Sequence, residues 1–368
     1  MRPIPSTKTV CSARTVSSAR LAHRESTATA ERIVAGMARR RLRHGIALGV
    51  FGVLIVAGFV ISLMFGHSFY PFSDVLKVIM GQDVPQAGFT VGVLRLPRAS
   101  LAILAGFSFG LAGVAFQTML RNPLASPDII GISAGAAAAA VFGIVFLSLK
   151  AAAVSMFAIV AGLLVALIVY LLSYRGGVAG TRLILIGIGV AAMLDSFTAY
   201  CLSQAAEWNL QDAMRWMTGS LNGANWGETG MVLISLILFG SLLLSQSRRL
   251  LITQLGDDAA SALGVAVGRT RLIVTLSAVG LISFATAATG PVAFVAFLSG
   301  PIAARVVGSG RSLLLPSAFI GALLVLVADF FGQFILGTRY PVGVITGVLG
   351  APFLLYLIIK ANRVGGSL

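Results

Sequence analysis

The chain has 368 residues, of which 57% are hydrophobic and 11% charged, against roughly 25% charged in an ordinary soluble domain. That deficit excludes a water-soluble globular domain and points to lipid as the solvent. A formal charge of +15 would suit nucleic acid, but its distribution along the chain follows membrane topology instead, and no nucleic-acid partner is expected.

Residues 1–43 are rich in Ser, Thr, Ala and Arg, with Glu25 and Glu31 as the only acids. The composition resembles a transit peptide, but a basic, disordered cytoplasmic arm is the preferred reading. A third reading starts the protein at Met37, which opens the basic flank MARRRLRHGIALGV. Residues 44–363 form one membrane domain, and 364–368 a short cytoplasmic tail.

Ten apolar runs fall at about 45–66, 99–119, 129–147, 151–173, 183–203, 230–246, 272–288, 291–307, 313–333 and 342–360. Each has roughly the 17 to 25 residues that a helix needs to cross about 30 Å of hydrocarbon. They lack period-2 alternation, which argues against a barrel. The first run is too long for a signal-peptide core and is read as a retained span. With the N-terminus inside, 21 of the 27 Lys and Arg residues lie on the cytoplasmic side and six outside; without the arm the ratio is still 11 to six. The expectation is an all-α polytopic membrane protein with ten transmembrane helices and both termini cytoplasmic.

Before the second run, RLPR sets Arg95 and Arg98 three residues apart around Pro97, near a helix start. On a helix this spacing puts both guanidiniums on one face, toward the outer surface. They suit either lipid headgroups or an acidic partner, since arginine offers a rigid fork to carboxylates. After the run comes RNPLASPDIIGISAGAAAAA, residues 121–140. Here Arg121 marks the cytoplasmic end, residues 122–127 turn the chain, and a third span restarts at Ile129 with small residues that let helices approach closely.

Asp195 and Asp329 are the only acids placed within spans, each costly in hydrocarbon and so facing protein or water. As a pair they suggest an aspartyl protease dyad, but MLD and VAD lack the G-x-G-D context. The plainer reading gives Asp195 to an aqueous cavity and Asp329 to a polar contact at a helix end. The inner loop SRRLLITQLGDDAASALGVAVGRTR places Asp257 and Asp258 at the start of a short helix. Leu255, Ala259, Ala262 and Leu263 form its apolar stripe, and Gly264 closes it. Such a helix either lies on the membrane as a connector or fits a cytoplasmic partner.

Other chemistry is poorly supplied. The three histidines, His23, His44 and His67, lie in the arm or at the edges of the first span, there is no H-E-x-x-H, and no metal site or cofactor is expected. Cys11 and Cys201 cannot build a disulfide framework. No G-x-x-x-x-G-K-[ST] occurs, so any ATP that drives the protein is bound by another chain. A proton-coupled carrier would need an acid and a cationic or histidine relay, of which Asp195 alone is present. An echo between residues 114–125 and 292–303 runs in the same direction in this topology, so it is no inverted repeat.

Together these segments resemble the FecCD-type permeases, the membrane subunits of ABC importers for ferric siderophores, heme and vitamin B12. The resemblance rests on residues 94–136, WMTGSL at 216–221, LGDDAASALGV at 255–265, GPVAFVAFLSGPIAAR at 290–305 and PVGVITGVLGAPFLLYLI at 341–358, in family order. It implies a type II importer permease that pairs with a second permease subunit, with two ATP-binding cassette subunits below and an extracytoplasmic substrate-binding protein above. Arg95 and Arg98 would receive glutamates of the binding protein. Leu255, Asp257, Asp258, Ala259, Ser261, Leu263 and Gly264 would form the coupling helix seated on the ATPase. Trp216, Gly219 and Ser220 would belong to an outer gate, and Asp195 to the path. Two departures stand out: Gln333 replaces an arginine frequent in the family, leaving Arg339 as the candidate third docking cation, and GPIAAR lacks the usual histidine.

Overall fold

The computed structural model describes residues 8–174, 180–308, 310–335 and 338–363. The 364–368 tail and Arg175, one of the counted inner cations, lie outside them. Two compact units are distinguished, residues 1–47 and 48–368. In the first, helix α1 (Lys8–Met64) already begins at Lys8, where composition had suggested an unstructured arm. The Ala, Arg and Glu residues of that stretch are good helix formers, which is the local reason.

The second unit continues α1 and adds α2 (Phe72–Ile79), α3 (Leu96–Met119), α4 (Ile132–Val145), α5 (Ala151–Ser173), α6 (Gly180–Ser203) and α7 (Glu207–Met217). There follow α8 (Trp226–Ser235), α9 (Ser241–Ser245), α10 (Ser247–Thr253), α11 (Asp257–Ala262), α12 (Val267–Thr289), α13 (Val295–Val307), α14 (Leu314–Phe334) and α15 (Val342–Arg363). Among the described residues, seven helical stretches are long and apolar enough to cross a membrane: Val34–Met64, Gly88–Met119, Ala151–Ser173, Arg182–Ser203, Trp226–Ser245, Val267–Thr289 and Leu314–Phe334. Three shorter apolar helices, Ile132–Val145, Val295–Val307 and Val342–Leu357, fall where the remaining runs were expected.

Two helix starts differ from expectation. The second span begins at Gly88, because a π-helical segment Gly88–Arg95 runs directly into α3. Pro97 has no N–H for the ordinary i→i−4 bond, and the wider π pattern lies immediately before it. RLPR therefore sits inside a helix. The third span restarts as a 3-10 turn, Pro127–Ile130, and becomes α-helical only at Ile132, after Gly131 at φ 80°.

Helix α3 runs through the middle of the second unit, buried along nearly its whole length. Its glycines explain how. A Cβ on Gly106 would lie 2.5 Å from the Ala322 Cα, and one on Gly110 would overlap the Ser317 carbonyl. One on Gly113 would overlap the carbonyl of Ala296 on α13. Backbone thus meets backbone between α3 and α14, the contact that small residues permit where lipid supplies no hydrophobic drive.

Candidate docking, gate and coupling elements

At the outer end, both RLPR arginines turn inward. Arg95 donates to the carbonyls of Leu63 at 2.8 Å, Met64 at 3.2 Å and Ser68 at 2.7 Å. Its guanidinium lies 5.3 Å from the Tyr70 ring centre. It therefore satisfies carbonyls that the end of α1 leaves without intrahelical donors. Arg98 grips Asp329 of α14 with both prongs, Nε to Oδ2 at 2.9 Å and Nη2 to Oδ1 at 2.8 Å, and donates to Asn222 through Nη1. Gln333 Nε2 donates to Asp329 Oδ2 at 2.6 Å. The side chains of Arg98 and Asp329 are 18% and 9% exposed.

The expected outward-facing pair is thus engaged within the subunit, because helix-end carbonyls and a buried carboxylate are stronger local partners than solvent. Gln333, the departure noted in the sequence, completes the Asp329 cluster. Arg339 is exposed. With both Asp329 oxygens held by Arg98, no carboxylate dyad forms with Asp195. Asp195 lies exposed on α6 and makes no ion pair among the described residues.

The motifs expected at an outer gate meet at one turn. Trp216 lies half-buried in the last turn of α7, and Gly219 follows the helix at φ 68°. The Ser220 N–H donates to the Thr289 carbonyl at 2.6 Å, and the Gly343 N–H to the Gly219 carbonyl at 3.1 Å. A Cβ on Gly219 would lie 2.5 Å from the Pro291 oxygen; on Gly290 it would overlap the Trp216 carbonyl, and on Gly343 that of Thr218. Residues 216–221, 289–291 and 341–343, far apart in sequence, are therefore locked together through bare backbone. Beside them opens a cavity of about 440 Å³ whose polar lining includes Asp212, Arg215, Ser220, Asn222 and Glu228.

On the inner side, Gly256 at φ 112° and Gly264 at φ 81° bracket the short helix α11. Ala260 and Val265 are buried, whereas Leu255 and Leu263 are 67% and 63% exposed and Asp258, Ala259 and Ser261 also face outward. The apolar stripe read from the sequence is uncovered. Asp257 is different: it pairs with Arg271 at 2.8 Å and with Arg121.

The 121–128 turn is built as its residues suggest. The Leu124 N–H donates to Asn122 Oδ1 at 2.9 Å, and Ser126 Oγ caps the 3-10 turn by accepting from Asp128. Sequence reasoning missed Gln117. Its Nε2 donates to the Phe297 carbonyl at 2.9 Å, an oxygen left without its i+4 donor because residue 301 is proline. Gly300 makes room, since a Cβ there would overlap Gln117 Oε1.

Known proteins resemble the chain in sequence and in fold. The model of the FecCD transport family matches residues 54–360. The ferric enterobactin transport system permease protein FepG of Escherichia coli (strain K12) is 39% identical, covering 79% of this chain and 88% of its own. The iron(3+)-hydroxamate import system permease protein FhuG of Bacillus subtilis (strain 168) is 36% identical, covering 86% and 97%. A solved structure described as the inward-facing conformation of a metal-chelate type ABC transporter superposes with a TM-score of 0.77 at 27% identity, covering 85% of this chain and 98% of that one. The chain belongs to the FecCD transport family.

Proposed function

We propose that this chain is the transmembrane permease subunit of an ABC importer for ferric siderophores, resident in a bacterial inner membrane. The observation that carries this is the identity, over most of both chains, with permeases named for ferric enterobactin and iron-hydroxamate import. It works with a second permease subunit, two ATP-binding cassette subunits and an extracytoplasmic binding protein. ATP hydrolysis belongs to the cassette subunits, in keeping with the lack of a P-loop in this sequence.

In this reading α11 is the coupling helix. Leu255, Asp258, Ala259, Ser261 and Leu263 present an uncovered surface to the ATPase, with Gly264 ending the helix. Asp257 holds it from behind. The backbone lock at Trp216, Gly219 and Ser220 forms part of the outer gate, and Asp195, exposed on α6, borders the substrate path. Exposed Arg339 contributes to docking of the binding protein, while Arg95 and Arg98 shape that outer face through their carbonyl and carboxylate contacts.

The test is reconstitution with the ATPase subunits and binding protein in lipid vesicles. ATP-dependent accumulation of a ferric siderophore is expected. Accumulation that persists without ATP and collapses with the proton gradient would overturn the reading.

A further inference from the structure

Two adjacent acids open α11, and the structure treats them differently. Asp258 is exposed and makes no ion pair among the described residues. Asp257 accepts from Arg271 Nη2 through Oδ1 at 3.1 Å and Oδ2 at 2.8 Å, and from Arg121 Nη2 through Oδ1. Arg121 also donates through Nε to the carbonyl of Thr253 at 3.0 Å. Thr253 ends α10 and Asp257 begins α11, so one guanidinium holds both sides of the bend at residues 254–256.

Arg121 reaches this place from an unusual backbone. Its φ of 51° lies in the left-handed region, which non-glycine residues occupy at a cost and keep only where their surroundings fix them. It lies one residue beyond Leu120, the C-cap of α3, and four residues earlier Gln117 binds the Phe297 carbonyl of α13. Gln117, Arg121, Gln254, Gly300 and Pro301 line one cavity of about 290 Å³. The inner end of α3 is thereby fastened to α13 by an amide and to α11 by a guanidinium.

We propose that Asp257 and Arg121 are positioning residues for energy coupling. They do not contact the ATPase. They tie α11 to the inner end of α3, so that displacement of α11 moves α3 and, through Gln117, the proline-bearing α13. Asp258 and the exposed leucines meet the partner. The side chains of Arg121 and Asp257 are 40% and 43% exposed, and ion pairs that wet add little to global stability. Their loss therefore frees the bend without unfolding the helices. This inference rests on the reading of α11 as the coupling helix.

The test uses the assembled importer in lipid vesicles, with ATP hydrolysis, import and co-purification of the ATPase subunits measured on the same preparations. Asp257→Asn and Arg121→Met are expected to keep the ATPases bound and hydrolysis within about twofold, while import per ATP falls about tenfold. Asp257→Glu, which retains the carboxylate, is expected to restore most of the ratio. Asp258→Lys with Leu255→Asp is expected to release the ATPases. Wild-type import per ATP in Asp257→Asn, or release of the ATPases by it, overturns the positioning role. Retention of the ATPases by the Asp258→Lys, Leu255→Asp variant overturns the coupling reading itself. Should Asp257→Asn fail to reach the membrane, Arg121→Met breaks the same pair from the other side and is judged by the same ratio.

Discussion

Replacing Asp329 by Leu strands the Arg98 guanidinium in a site where its side chain is 18% exposed. Two charges about 3.5 Å apart at an effective dielectric of about 20 attract by roughly 4 to 5 kcal/mol, and removing one partner of a buried pair costs roughly 3 to 5 kcal/mol. Arg98 keeps its bond to Asn222, so about 3 kcal/mol is expected for Asp329→Leu. Arg98→Leu should cost slightly less, because Gln333 still donates to the orphaned carboxylate. Replacing both by Leu removes both desolvation costs, and such exchanges are often close to neutral. The prediction is therefore strong non-additivity, with the double variant recovering most of the roughly 5 kcal/mol to which the single losses sum. Unfolding in mixed micelles, followed by helical circular dichroism for the four proteins, measures it. Additivity within about 0.5 kcal/mol would show that the pair does no work in the folded protein. The same double variant separates two roles of Arg98: restored folding with restored import limits it to internal pairing, whereas restored folding without import assigns it an outer-face role as well.

Four further outcomes follow from the packing. Gly106→Val drives a branched side chain into the α14 backbone and should cost about 3 kcal/mol, the upper end for overpacking; unchanged thermal melting in detergent refutes the close α3–α14 contact. Gly219→Ala places a Cβ at φ 68° and 2.5 Å from the Pro291 oxygen, for roughly 1 to 2 kcal/mol of backbone strain besides the overlap; faster proteolysis at residues 216–221 and reduced import are expected. Gln117→Leu leaves the Phe297 carbonyl without a donor and should destabilise by roughly 1 to 3 kcal/mol, again read by melting. Arg339→Glu, at an exposed position, should change stability by no more than about 0.5 kcal/mol while weakening binding-protein affinity; unaltered affinity removes Arg339 from the docking surface.

The apolar runs located the membrane-crossing helices because hydropathy over about 20 residues is a local signal that lipid enforces directly. The exposed stripe of α11 was legible for a similar reason: Leu255, Ala259, Ala262 and Leu263 recur at helical spacing, and Gly256 and Gly264 end the segment on either side. The backbone lock around Gly219 was only half legible. WMTGSL, GPVAF and PVGV could each be picked out, yet that Gly219, Gly290 and Gly343 serve one another is a fact about three carbonyls, and a carbonyl leaves no letter in the sequence.

The arginines show where local reading fails and how far it could have been pushed. Arg95 and Arg98 stand three residues apart on one face, and helical spacing alone sends both outward. Their partners are the carbonyls at the end of α1 and an aspartate 231 residues away, which no local pattern encodes. A charge inventory does better. In a membrane domain with so few acids, a carboxylate buried within a span needs a cation or donors beside it, and Asp329, one turn from the outer end, can draw them only from that level. Arg98 is one of few. The same logic applies to Pro301: a proline inside a span orphans the carbonyl four residues back, and hydrocarbon offers no water to satisfy it. Some polar side chain on a neighbouring helix must donate there, and Gln117 on α3 is the one that does. Searching a membrane sequence for unpaid backbone acceptors is thus a route to buried contacts that hydropathy cannot reveal.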